Sequence, residues 1–136
     1  AEMALFAEQA RDVDIIVTTA LIPGKKAPTL ITQEMVDSMK PGSVLVDLAA
    51  EAGGNISGTV PGEKVVTPRG VTILGYTDMP SRLASQSSSL YANNISKYLI
   101  SMGPKGRFMV DHDDYAVRGA LLLENGQTMW PAPPPP

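Results

Sequence analysis

The residues of this chain that can do chemistry gather in three loops. The first begins Thr18-Thr19-Ala20-Leu21, small side chains that let a flat ligand approach the end of a strand, and runs through Pro23-Gly24 to Lys25 and Lys26. A lysine pair there can face a phosphate; a plain tight turn with solvated lysines is the alternative. In the second loop Asp47 interrupts an apolar run, and Glu51 follows beside Gly53-Gly54. A carboxylate in that place accepts hydrogen bonds from a ribose or carboxamide, or moves a proton if desolvation raises its pKa. Equally, Asp47 can be satisfied by nearby backbone amides and Glu51 by water. The third loop sets Asp78 and Arg82 across Pro80, at the spacing of an ion pair, and continues into serines around Gln86 that can cap a helix and attract an anion.

Other chemistries are excluded or poorly served. The single histidine, His112, lies among Asp111, Asp113 and Asp114, which reads as a solvated turn rather than a metal site. It is also remote from the three loops, so no serine-histidine-acid grouping forms, and with no cysteine there is no thiolate nucleophile or thiolate zinc site. No catalytic or metal-ligating residue is therefore expected. The net charge of -3 and the lack of any basic cluster beyond Lys25-Lys26 argue against a nucleic-acid partner. No apolar run approaches the ~20 residues that span a bilayer, so direct membrane insertion of this segment is not expected.

The elements that must position these loops are legible in the hydrophobic pattern. Residues 1 to 11 carry a weak helical face through Ala4, Leu5, Ala7 and Ala10. "VDIIVTTA" (13–20), "SVLVDLAA" (43–50) and "VTILGY" (71–76) are short apolar runs that suit strands covered on both faces of a parallel sheet. Between the first two, Thr32 is placed to cap a helix with Ile31 and Val36 as its hydrophobic staple, and Lys40-Pro41-Gly42 ends it. Such a crossover is right-handed and parallel, so the three loops emerge together on the carboxyl edge.

The segment 51–70 is too rich in glycine and proline for a helix, with a short extended piece at Lys64-Val65-Val66. A helix is predicted from Ser85 to Met102, stopped by Gly103-Pro104. Residues 107–131 read as extended, with Asn125-Gly126 as a hairpin turn, and "PAPPPP" reads as a stiff linker. The expected division is thus 1–84 for an α/β lobe, 85–102 for a crossover helix, 103–130 for a hairpin belonging to an adjoining lobe, and 131–136 for the linker.

A dinucleotide-binding fold carries G-x-G-x-x-G after its first strand, and no such pattern occurs here. The residues alone therefore describe the second half of a Rossmann-type parallel sheet. The opening at Ala1, already in helical pattern and without an initiator methionine, leads to the expectation of a segment cut from a longer chain.

The stretches "DIIVTTALIPGKKAP", "LITQEMVDSMKPGSVLVDLAAEAGGN", "GYTDMPSR", "SLYANNISKYL" and "VRGALLLENGQTMWPAP" resemble the proton-translocating NAD(P) transhydrogenases. They resemble the later part of the NAD(H)-binding domain I of the alpha subunit. The resemblance implies hydride transfer between NADH and NADP⁺, with NADP(H) on a separate domain and a transmembrane domain coupling the reaction to proton movement. It also implies a homodimer on the soluble face of an energy-transducing membrane, either the mitochondrial matrix side or the bacterial cytoplasmic side. By the same analogy Thr19, Ala20 and Leu21 line the cofactor cleft, Glu51 and Gly53-Gly54 border it, and Glu2 touches the nucleotide. Alanine dehydrogenase is similar in its "KPGSVLVD" segment and offers a second reading as an NAD-dependent oxidoreductase, in which the position of Glu51 looks catalytic. A third reading is a non-catalytic interaction module.

Overall fold

The computed structural model describes residues 2–103 and 106–134. They form two compact units, Ala1–Arg82 and Leu83–Pro136. In the first unit β1 (Ile15–Thr18), β2 (Val44–Asp47), β3 (Lys64–Val66) and β4 (Thr72–Leu74) make one sheet in the order β1-β2-β4-β3. The strands β1, β2 and β4 are parallel, as the apolar runs predict, and β3 returns antiparallel on the outside of β4.

One row of this sheet explains why the strands cohere. Ile16 lies beside Leu45, Leu45 beside Ile73, and Ile73 beside Val65. Leu45 and Ile73 are fully buried against Met35, Val36 and Met39, and Ile16 and Val65 pack on the rim of that cluster. Burying a side chain of this kind is worth ~1.5–3 kcal/mol, which makes this row the main source of the unit's cohesion. The methionines and Val36 come from α2 (Gln33–Ser38) and its end, and α1 (Glu2–Gln9) contributes Phe6 and Ala7 at the edge. Thr32 caps α2 as expected, its side chain accepting from the Met35 amide at 3.4 Å.

Covering on both faces is not realised in β1. Its alternate residues Ile15 and Val17 are 65% and 55% exposed, because β1 is an edge strand and the helices lie only on the face of Ile16. The helix α3 (Met79–Arg82) is a single turn in what reads as loop, and the Ser81 and Arg82 amides both donate to the Asp78 carbonyl.

The second unit contains α4 (Ala84–Ser101), α5 (Tyr115–Ala120) and a hairpin of β5 (Leu123–Glu124) and β6 (Gln127–Thr128). The helix agrees with the predicted one to within a residue at each end. The serines do not cap it. The cap position is Leu83, with no side-chain bond, and Ser85 to Ser89 lie inside the helix, where the Ser89 hydroxyl donates to the Ser85 carbonyl. The Asn125-Gly126 turn is as predicted, both residues having positive φ (50° and 80°), which closes a tight two-residue hairpin.

Helix α5 stands where extended chain is predicted. Asp114 creates it by accepting from the Ala116 and Val117 amides at 2.8 and 3.1 Å, and Val117 is buried. The predicted stop at Pro104 and the last two residues of the predicted linker lie outside the described residues.

Candidate functional site

The loops after β1 and β2 leave the same edge of the sheet, and their separation creates a cleft. The last ladder bond runs from the Leu48 amide to the Thr18 carbonyl at 2.9 Å. Beyond it the β2 chain curls away into a 3₁₀ turn, Ala50–Ala52, and then reverses through Gly53 and Gly54 at φ of 99° and 80°. Both angles lie where residues bearing a Cβ are disfavoured, so these glycines permit the reversal.

Asp47, at the end of β2, is fully buried and settles its two readings in favour of structure. Its Oδ1 accepts from the Ala49 amide at 3.0 Å and the Thr18 hydroxyl at 3.4 Å. Its Oδ2 accepts from the Asn55 and Ile56 amides at 2.8 and 3.1 Å and from the Thr59 hydroxyl at 2.7 Å. The carboxylate thereby organises the loop of residues 48–59. Gly54 belongs to this arrangement, since a Cβ on it would stand 2.7 Å from Asp47 Oδ2.

Asn55 is the residue that sequence reasoning passed over. It is buried, and its carboxamide reaches across to the loop after β1. Its Oδ1 accepts from the Ala20 amide at 3.0 Å, while Nδ2 donates to the Ala20 and Pro28 carbonyls at 3.0 and 2.8 Å. Only its place beside Gly53-Gly54 marks it in the sequence.

Two lips result. Leu21, Ile22 and the turn through Lys26 form one, Leu48, Glu51 and Ala52 the other, and about 570 Å³ lies between them. Leu21 and Leu48 are 56% and 46% exposed, apolar walls left open to a ligand. Glu51 is exposed at the mouth, and the stem of Lys26 lies so near Gly53 that a Cβ there would meet its Cγ at 3.2 Å. Thr19 and Ala20 line a second hollow of about 440 Å³ along the flank of β1, with Phe6 and Leu30.

Among the expected site residues, Leu21 and Glu51 meet in the cleft and Thr19 and Ala20 stand beside it, whereas Glu2 is exposed on α1 and lines neither hollow.

The third loop holds an ion pair. Arg82 Nε donates to Asp78 Oδ1 at 2.8 Å, and the guanidinium sits 4.0 Å from the centre of the Tyr76 ring. The hydrogen bond from Arg82 holds the Asp78 carboxyl below its usual range, and the same bond raises Arg82. In the second unit His112 Nε2 lies 3.1 Å from Glu124 Oε2. Among the described residues no group of three or more His, Asp or Glu side chains could hold a metal ion.

The alanine dehydrogenase/PNT C-terminal domain family matches residues 1–131. This chain belongs to that family. It is 52% identical over 132 residues to the NAD(P) transhydrogenase subunit alpha of Cereibacter sphaeroides, a match that covers 96% of this chain and 25% of that protein. To the alanine dehydrogenase of Bacillus subtilis it is 33% identical over 130 residues, covering 93% of this chain and 34% of that protein.

The crystal structure of transhydrogenase from Sinorhizobium meliloti superposes with a TM-score of 0.75 at 44% identity, over 93% of this chain and 35% of that one. The higher identity places this member of the family nearer the transhydrogenase alpha subunits, in agreement with the motifs, and the parallel sheet is the second half of a Rossmann-type fold. The chain spans about a quarter of the length of the curated transhydrogenase alpha subunit it matches. No helix among the described residues is long and apolar enough to cross a membrane.

Proposed function

We propose that this chain is the second half of the NAD(H)-binding lobe of a proton-translocating NAD(P) transhydrogenase. The observation that carries the reading is the cleft at the carboxyl edge, between two lips held by buried polar groups, in a chain 52% identical to a transhydrogenase alpha subunit. Parallel α/β sheets bind ligands in such crevices. The fit is chemical as well as topological. The cleft of about 570 Å³ offers apolar walls at Leu21 and Leu48 and an acceptor at Glu51. These are the groups that hold a flat ring and a hydroxyl or carboxamide.

Bound NADH supplies a hydride, and NADP⁺ on a separate domain receives it. The residues of this chain orient rather than react: Thr19, Ala20 and Leu21 present the strand end, Glu51 accepts a hydrogen bond at the mouth, and Gly53-Gly54 let the second lip turn back. Glu2, exposed on α1 and outside both hollows, is assigned to the nucleotide by the family resemblance alone. Orientation of two reactants is itself a large share of such catalysis, so no acid-base pair is needed. The partners in this reading are the NADP(H)-binding and transmembrane domains and a second copy of the chain, on the soluble face of an energy-transducing membrane.

NADH titration of the full-length protein by fluorescence tests the reading. Leu21→Glu puts a negative charge on the lip that meets a dinucleotide anion and should weaken binding about tenfold, equivalent to ~1.4 kcal/mol. Absence of NADH binding, or an unaltered Leu21→Glu variant, overturns it. The relationship to the Bacillus alanine dehydrogenase supports a second reading, in which Glu51 takes part in reductive amination of a 2-oxo acid. NADH oxidation dependent on pyruvate and ammonium would select it.

A further inference from the structure

We propose that Asn55 is the positioning residue that sets the separation of the two lips. The inference rests on the reading of the cleft as an NAD(H) site for its ligand, though not for its geometry. The backbone ladder between β1 and β2 ends with Leu48 and Thr18. At the next outward-facing peptide, Ala20, the Asn55 carboxamide replaces the missing strand: it accepts from the N–H and donates to the C=O of the same residue. A side-chain amide has the donor and acceptor pattern of a peptide group, and here it is used as one.

The third bond, from Nδ2 to the Pro28 carbonyl at 2.8 Å, ties the far end of the first lip to the same atom. The lip of residues 20–28 is thus closed at its base by the Asn55 carboxamide, with one backbone bond across the lips, from the Ala27 amide to the Ala52 carbonyl at 2.8 Å, near its far end. The orientation of the amide is determined by these partners, because the flipped form would set its NH₂ against the Ala20 N–H and its oxygen against two carbonyls.

Asn55 is itself fixed to β2, since its own amide donates to Asp47 Oδ2. The path from sheet to cleft is therefore short: β2, Asp47, Asn55, Ala20, Leu21. A side chain at this point controls the width of the cleft without touching what enters it. Asn55 lines neither hollow, yet it holds Ala20, which lines one, and the residue after it, which lines the other.

The test uses the full-length protein with Asn55→Ala, and with Ser57→Ala as a nearby half-buried control whose hydroxyl donates to Gln33 rather than to the first lip. Hydrogen exchange should accelerate in peptides covering residues 19–28 by about tenfold or more while β2 and β4 keep their protection, and the Kd for NADH should rise about tenfold. In turnover the KM for NADH should rise and kcat fall together, whereas general destabilisation lowers the amount of active enzyme and leaves KM unchanged. Exchange that rises throughout the unit, or not at all in residues 19–28, overturns the proposal. So does local acceleration with unaltered NADH affinity.

Should Asn55→Ala fail to fold, Asn55→Ser keeps a polar group in place but cannot reach both Ala20 and Pro28, and the same readouts apply. Failure of the unaltered protein to bind NADH refutes the functional reading instead. The local exchange result then decides the lip geometry alone.

Discussion

Replacing Asp47 separates a structural carboxylate from a catalytic one by the order of the effects. In Asp47→Ala three main-chain amides, those of Ala49, Asn55 and Ile56, lose their acceptor in a fully buried place. Each stranded donor costs about 1–3 kcal/mol, so the sum is ~3–9 kcal/mol, a large part of the 5–15 kcal/mol that holds a domain folded. Asp47→Asn keeps the shape and one oxygen. The variant does best with that oxygen in the place of Oδ2, where three donors converge, and its NH₂ in the place of Oδ1. The Thr18 hydroxyl can turn and accept, so only the Ala49 amide is stranded, at about 1–3 kcal/mol, with a further loss from bonds no longer charge-assisted.

Destabilisation should therefore follow the order wild type, Asn, Ala, with the Ala effect at least about twice the Asn effect. Hydrogen exchange of the β2 and β4 amides reads it, because those strands open only with the whole unit. An Ala variant costing less than about 1 kcal/mol, or an Asn variant as damaging as Ala, would refute the reasoning. A purely catalytic aspartate would show neither loss of protection.

Gly54→Ala should cost about 2–4 kcal/mol, since a Cβ at φ 80° would stand 2.7 Å from Asp47 Oδ2. Gly62→Ala, at φ 83° with open space around it, isolates the backbone part, and equal costs for the two in thermal unfolding would contradict the account. Asp78 has a folded pKa below its unfolded one because Arg82 donates to it, so the contribution of the pair is present above the unfolded pKa. It is lost as the pH falls through the folded pKa. An NMR titration of the Asp78 carboxyl should show a midpoint that moves up in Arg82→Gln, and an unmoved midpoint would sink the assignment.

What the sequence discloses is what local pattern can encode. Thr32 reads as a cap because its partner, Met35, is three residues away, and Asn125-Gly126 reads as a hairpin because both positive φ angles fall in one dipeptide. Asp47 leaves two readings open because its donors are spread from Thr18 to Thr59, and only the fold brings them to one carboxylate. Asn55 is silent for the same reason: its partners Ala20 and Pro28 precede it by 35 and 27 residues, and in "GGNISG" it resembles any turn asparagine. Helix α5 is hidden by the apolar run after it, which favours an extended reading, while its start depends on one of three neighbouring aspartates.

The buried polar pair also explains how an α/β edge can be open and definite at once. Two loops that diverge from a sheet lose their mutual ladder, and a cleft held only by apolar contact would slide. Hydrogen bonds fix direction as well as distance, and in a low-dielectric place a misaligned one leaves a stranded group, so alternative lip positions are disfavoured by far more than the net worth of each bond. In the function proposed above this matters more than any reactive side chain, because a displacement of ~1 Å between donor and acceptor carbons can slow a transfer about a hundredfold. A site that works by orientation places its strongest polar groups behind the cleft, where Asp47 and Asn55 stand, and leaves small and apolar residues at its face.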